Sequence, residues 1–181
     1  MIKIISKYPL VKLETKVNIE YGTRITKKNA IGDELYPVYG GGGETFRCEK
    51  FNRENCYIVS RFGMSRDCVR FVKGKFFLND SGLTIVSKDK SVKTEFINMY
   101  LYGFQENVYS LGRGSSQKNL DMDAFKDLQI PLPPLDVQQK IISECETLNN
   151  EYNRIRMSKE EYKNRITEIF DRLGVILKQE D

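Results

Sequence analysis

Ten apolar residues, Ile141, Cys145, Leu148, Tyr152, Ile155, Tyr162, Ile166, Ile169, Leu173 and Ile176, follow alternating steps of four and three, with only Lys159 polar in the series. No proline or glycine interrupts the chain between Val137 and Leu173. A 3.5-residue repeat held this long reads as one helix carrying a left-handed coiled-coil seam. At 1.5 Å per residue such a rod runs roughly 55–60 Å. An apolar seam of that length asks for a partner helix. A helix lying along its own globular domain is the alternative.

Just upstream, Ile130-Pro131-Leu132-Pro133-Pro134-Leu135-Asp136 ends whatever precedes it, because three prolines fix φ and remove three backbone donors. Asp136 is placed to cap the helix that follows, with Gln138 and Gln139 in its first turn. Before this run the pattern changes. Tyr36–Tyr39, Cys56–Ser60, Cys68–Val72, Phe76–Leu78 and Leu83–Val86 are β-branched and aromatic, and glycines or Asn79-Asp80 separate them as turns. Lys93 to Phe104 has helical spacing, with Phe96, Ile97, Tyr100, Leu101 and Phe104 on one face, and Leu120 to Leu128 predicts a second short helix opened by Asn119 or Asp121. The fold class expected is α+β: a β-rich globular domain over residues 1–135, then a long C-terminal coiled-coil helix over 136–181.

Composition narrows the chemistry. Among 181 residues there is no histidine, which excludes imidazole acid–base steps, His-dependent nucleophiles and HExxH zinc sites. Cys48, Cys56, Cys68 and Cys145 show neither a CxxC pair nor zinc-ligand spacing, and read as reduced, mostly buried thiols. No stretch approaches the roughly 18 apolar residues of a membrane span, and Met-Ile-Lys-Ile-Ile-Ser lacks the long apolar run expected of a signal peptide. A cytoplasmic protein is expected. Of 29 basic and 25 acidic residues, 21 and 16 precede Val137, while 8 and 9 follow from Val137 onward. The surplus of positive charge therefore lies in the front part, which suits a polyanion, while the near-neutral rear suits a protein partner.

Three loops carry candidate binding residues. Gly40, Gly41, Gly42 and Gly43 form a glycine run without the Lys-Ser/Thr of a phosphate loop, so it reads as a flexible turn or as a mobile loop that lets backbone approach a nucleic-acid strand. Arg61, Ser65 and Arg66 follow a strand, and arginine can fork onto guanine; an ion pair to Asp67 or Glu44 is the plainer role. Arg113, Ser115, Ser116, Gln117 and Lys118 lie in a Gly-Ser loop whose cations suit phosphate and whose amides suit adenine. Leu132-Pro133-Pro134-Leu135 lacks the flanking residues of an adenine-methyltransferase motif, and no other constellation commits the chain to catalysis. No catalytic residue, metal ligand or cofactor site is assigned.

The order of elements resembles the specificity (S) subunit of type I restriction–modification enzymes. The resemblance lies in Leu13 to Gly22, Tyr36-Pro37-Val38-Tyr39-Gly40-Gly41 and Ile58 to Gly63. It continues through Gly114 to Leu120 and the proline run leading into Gln138-Gln139-Lys140-Ile141-Ile142. It implies a target recognition domain followed by a spacer helix. Such subunits usually carry two of each, so this chain looks like a half-size form. The resemblance further implies that the domain contacts one half of a split double-stranded DNA target. The helix docks modification (methyltransferase) subunits, which hold S-adenosylmethionine, with a restriction subunit as a further partner. It also implies a homodimer through an antiparallel coiled coil along Ile141, Cys145, Leu148, Tyr152, Ile155, Lys159, Tyr162, Ile166, Ile169 and Leu173, with the two-fold axis near Lys159. The competing expectations are a small nuclease or part of a fused restriction enzyme, and a coiled-coil scaffold that binds protein only.

Overall fold

Strands come first along the chain and helices later. A computed structural model describes residues 3–30, 32–155, 158–175 and 178–180. In order they form β1 (Lys3–Ile5), β2 (Leu10–Lys12), β3 (Val17–Tyr21), β4 (Tyr36–Gly40), β5 (Gly43–Cys48), β6 (Arg53–Ser60), β7 (Val69–Leu78) and β8 (Gly82–Ser87). Helices α1 (Thr94–Gly103) and α2 (Gln105–Ser110) follow. Then come β9 (Gly112–Arg113), β10 (Asn119–Leu120), α3 (Met122–Lys126), β11 (Gln129–Pro131), α4 (Leu135–Ile155), α5 (Lys159–Arg172) and β12 (Lys178–Glu180). The α+β class expected from the sequence is the class observed. The expected division at residue 135 is not where contacts separate: one unit comprises 18–86 and 108–125, the other the segments up to 17, 87–107 and from 126 onward.

In the first unit six strands form a sheet in the order β3-β8-β6-β7-β4-β5. The long β6–β7 pair is antiparallel, with Ile58 opposite Arg70 and Cys56 opposite Val72, while β4 runs parallel to β7. Ile58, Val72, Phe76 and Leu78 form its apolar core, with Tyr39 and Cys56 against it. Gly74, expected as a turn between two strands, lies inside β7. Asn55 opposite adopts φ 46° and its side-chain oxygen accepts from the Gly74 N–H at 2.8 Å. This bulge absorbs the irregular residue and lets one ten-residue strand continue.

In the second unit β2 pairs with β11, and α1 packs against α4 and α5. Phe96, Tyr100, Phe104 and Phe170 form a buried aromatic cluster with ring centres 5.0–5.7 Å apart. Gln138 is fully buried: its carbonyl oxygen accepts from the Lys93 N–H at 2.8 Å, and its amide donates to the Ser91 and Pro133 carbonyls. One side chain thus ties the proline run to the start of α1.

The expected single rod over 137–173 is corrected. The heptad residues fall on two helices, α4 and α5, which run antiparallel: Glu144 pairs with Arg172, and Glu151 with Arg165 at 3.1 Å. Ser158 supplies the local reason, because its hydroxyl accepts from the Glu161 N–H at 3.1 Å and caps a new helix. Tyr162 then stacks on Tyr152 at 4.9 Å and donates to Asn149. Among the described residues most of the seam is covered inside one chain. Ile141, Cys145, Leu148, Tyr162, Ile166 and Ile169 are buried, while Tyr152 and Leu173 are half-buried and Lys159 is exposed. Gly103 lets α1 close onto this pair, since a Cβ there would sit 2.6 Å from Ile166 Cγ2. The Ile155 side chain and Ile176 lie outside the described residues.

All four cysteines are free thiols, three buried and Cys56 half-buried. Among the described residues no helix is long and apolar enough to cross a membrane.

Candidate nucleic-acid interface

The three candidate loops come from distant parts of the sequence and meet within the sheet-bearing unit. Gly40 pairs with Gly43, so Gly41 and Gly42 are the two-residue connection of the β4–β5 hairpin. The segment after β6 is bonded to this turn's neighbours: the Arg61 and Phe62 N–H groups donate to the Ser81 carbonyl at 2.8 and 3.3 Å. The same segment is zipped to the β9–β10 hairpin. Leu120 N–H donates to the Arg61 carbonyl, Met64 N–H to the Lys118 carbonyl, and Gly63 N–H to Asn119 Oδ1 at 3.2 Å.

The glycine turn is tied to the strands around it through Gly41. The Gly41 carbonyl accepts from Ser60 Oγ at 2.8 Å and from Arg70 Nη2 at 2.5 Å, and its N–H donates to Ser81 Oγ at 3.0 Å. Ser81 Oγ in turn donates to Asn79 Oδ1. A Cβ on Gly41 would fall 1.8 Å from the Phe62 carbonyl oxygen, so glycine is required for one backbone to lie on another. Flexibility is the wrong reason for this glycine. Close packing is the right one.

The cations differ in their surroundings. Arg61 is half-buried, with its guanidinium 4.9 Å from the Tyr21 ring centre and 4.5 Å from that of Phe62. Tyr21 and Phe62 are 44% and 39% exposed, so this Arg–aromatic stack stands at the surface. Arg66 and Lys118 both lie over the ring of Tyr109, at 5.6 and 4.1 Å. Arg113 is ion-paired with Asp121, whose carboxylate also caps α3 by accepting from the Asp123 and Ala124 N–H groups. Ser65, Ser115, Ser116 and Gln117 are exposed. Glu44, weighed as a partner for the arginines of the 61–66 loop, pairs with Arg47 at 3.5 Å.

Sequence reasoning missed Arg70, Tyr21 and Tyr109, and read Asn79-Asp80 as a turn without its link through Ser81 to Gly41. Arg70 sits in β7 among apolar residues; burial pulls its guanidinium below the usual arginine pKa, and the Asp67 charge opposes that pull. Among the described residues its Nε is buried without a hydrogen-bond partner, which marks it as a structural cation rather than a solvated one. Among the described residues no group of three or more Cys, Asp or Glu side chains is placed to hold a metal ion.

Comparison with known proteins gives a consistent picture. A family profile described as "Type I restriction modification DNA specificity domain" matches residues 7–168. A Mycoplasma pneumoniae protein named "Putative type I specificity subunit S.MpnORF638P" is 26% identical over 148 residues, covering 75% of this chain and 40% of that protein. The crystal structure of a type I restriction–modification S subunit from M. genitalium superposes with a TM-score of 0.72 at 20% identity, covering 83% of this chain and 41% of the other. The HsdS subunit from Thermoanaerobacter tengcongensis gives a TM-score of 0.55 at 17% identity, covering 92% and 44%. These structural likenesses establish the fold. The chain spans less than half the length of these relatives.

Proposed function

The chain belongs to the type I restriction modification DNA specificity domain family, and from that premise we propose that it reads one half of a bipartite duplex DNA target for partner subunits that carry the chemistry. The observation that supports this reading is the hydrogen-bonded meeting of the Arg61–Met64 segment with the Lys118–Leu120 segment, with the Gly41 backbone packed on Phe62 and with Arg61, Arg66 and Lys118 each held over an aromatic ring. Cations held on aromatic rings at a surface suit a phosphate backbone, and an arginine stacked in a fixed plane suits a guanine edge. In this reading the chain contributes no catalytic group; modification subunits hold S-adenosylmethionine, a restriction subunit is a further partner, and the assembly works in the cytoplasm.

One copy suffices for one half-site. Union of two copies through an antiparallel coiled coil would first have to open the α4–α5 pair, which buries Ile141, Cys145, Leu148 and Ile166. The testing experiment is co-expression with a type I modification subunit, followed by mapping of methylated adenines. The expected result is co-purification and methylation at sites sharing one motif, altered by Arg61→Ala. Failure to co-purify, with no common motif at the methylated sites, would overturn the proposal.

A further inference from the structure

The chain has 13 glycines, and their local geometry explains twelve of them. Gly32, Gly43, Gly63, Gly74, Gly114 and Gly174 have positive φ, which side chains rarely adopt. Gly22, Gly40, Gly41, Gly82, Gly103 and Gly112 would each bring a Cβ to within 3.2 Å or less of a neighbouring atom. Gly42 alone has neither constraint: its φ is ordinary, and a Cβ there would meet nothing within 4 Å. It is exposed, at the outer position of the two-residue turn.

Glycine at an exposed turn with ordinary φ costs folding free energy through the freedom it gives the unfolded chain. The adjoining Gly41 peptide is held by Ser60, Arg70 and Ser81 from both its carbonyl and its N–H. The tip is bare, and the neighbouring Gly41 is set against the Arg61–Phe62 segment by the Gly41–Phe62 contact. We propose that Gly42 is a DNA-contact position, where the missing side chain lets the hairpin tip press its backbone against the sugar–phosphate wall of a duplex. The segment that carries Arg61 packs on the neighbouring Gly41 and makes that wall the fitting occupant, and the proposal rests on the DNA-reading function proposed above. Arg70 is then a positioning residue: it touches no DNA and sets the height of the tip through the Gly41 carbonyl.

The test uses the full chain with Gly42→Ala and Gly42→Val, measuring thermal unfolding and binding to a pool of random-sequence duplexes. Both variants are expected to melt at or above the wild-type temperature, because nothing in the fold opposes the added carbon. Gly42→Val is expected to lose duplex affinity on the order of tenfold, and Gly42→Ala less, as a steric wedge of growing size requires. The slope of affinity against salt should stay near wild type, since no charge is removed. Gly41→Ala serves as contrast and should lower the melting temperature. Wild-type affinity in a stably folded Gly42→Val would overturn the inference while leaving the DNA-reading function intact. A wild-type chain that binds no duplex would overturn both. If Gly42→Val melts below wild type, Gly42→Ala decides: wild-type affinity there contradicts the contact, and a several-fold loss at unchanged melting temperature supports it.

Discussion

The guanidinium of Arg61 lies 4.9 Å from the ring centre of Tyr21, a residue forty positions earlier that arrives on the far edge strand β3 of the sheet. Stacking fixes the plane of the guanidinium before any ligand arrives, so less side-chain freedom is lost when it bonds to a base edge. Arg61→Ala is expected to relax sequence preference by about 1–3 kcal/mol, as for loss of a bidentate base contact. Tyr21→Ala should give a smaller change in the same direction. Competition binding between the preferred duplex and its single-base variants checks both. Unaltered discrimination in Arg61→Ala would remove Arg61 from the reading site.

Lys118 and Arg113 are separated by their neighbours. Lys118 lies over a neutral ring, whereas Arg113 is already neutralised by Asp121. Lys118→Ala is expected to weaken binding to all sequences alike and to lower the salt slope by about one. Arg113→Ala should change the slope less. Titrations across ionic strength measure this, and equal slopes for the two variants would contradict the assignment.

The α4–α5 pair depends on the capping hydroxyl of Ser158. Ser158→Ala is expected to cost about 1 kcal/mol of stability, read from a denaturant midpoint. Leu148→Ala, which empties a buried site between the helices, should cost about 2–5 kcal/mol. If Ser158→Ala were neutral and the chain dimerised at the same time, a continuous helix would be indicated instead.

Alkaline pH should loosen the same pair. Burial, then the charges of Glu144 and Glu146, pushes the Cys145 thiol from 9.0 up to about 12. Burial, then Cys145 and Tyr152, pushes the Tyr162 hydroxyl from 10.0 up to about 12. Both groups hold their protons more tightly when folded, so their contribution is whole below their unfolded values and is lost as pH climbs toward about 12. Denaturant midpoints should therefore fall through this alkaline window, and Tyr162→Phe should flatten the fall. An identical slope in that variant would contradict the cause assigned.

The sheet and its loops were readable because strand patterns and turn chemistry are local. Val69 to Leu78 was divided at Gly74 only because the compensating residue, Asn55, lies in another strand. The candidate cations were readable as residue types; their rings were not, since Tyr21 and Tyr109 are brought to Arg61 and Lys118 by tertiary folding alone. Arg70 was hidden within a run of strand-forming residues. The heptad repeat misled for a physical reason: it specifies an apolar seam needing a partner helix, and cannot say whether that helix comes from another chain or from the same one. Ser158-Lys159-Glu160-Glu161, a capping box, was the visible sign of the break.

Selection of duplexes by the full chain from a random-sequence pool tests the central claim most directly. The claim predicts enrichment of one short contiguous half-site, bound with affinity that falls steeply as salt rises. Recovery of no common sequence, with retention indifferent to salt, would contradict it.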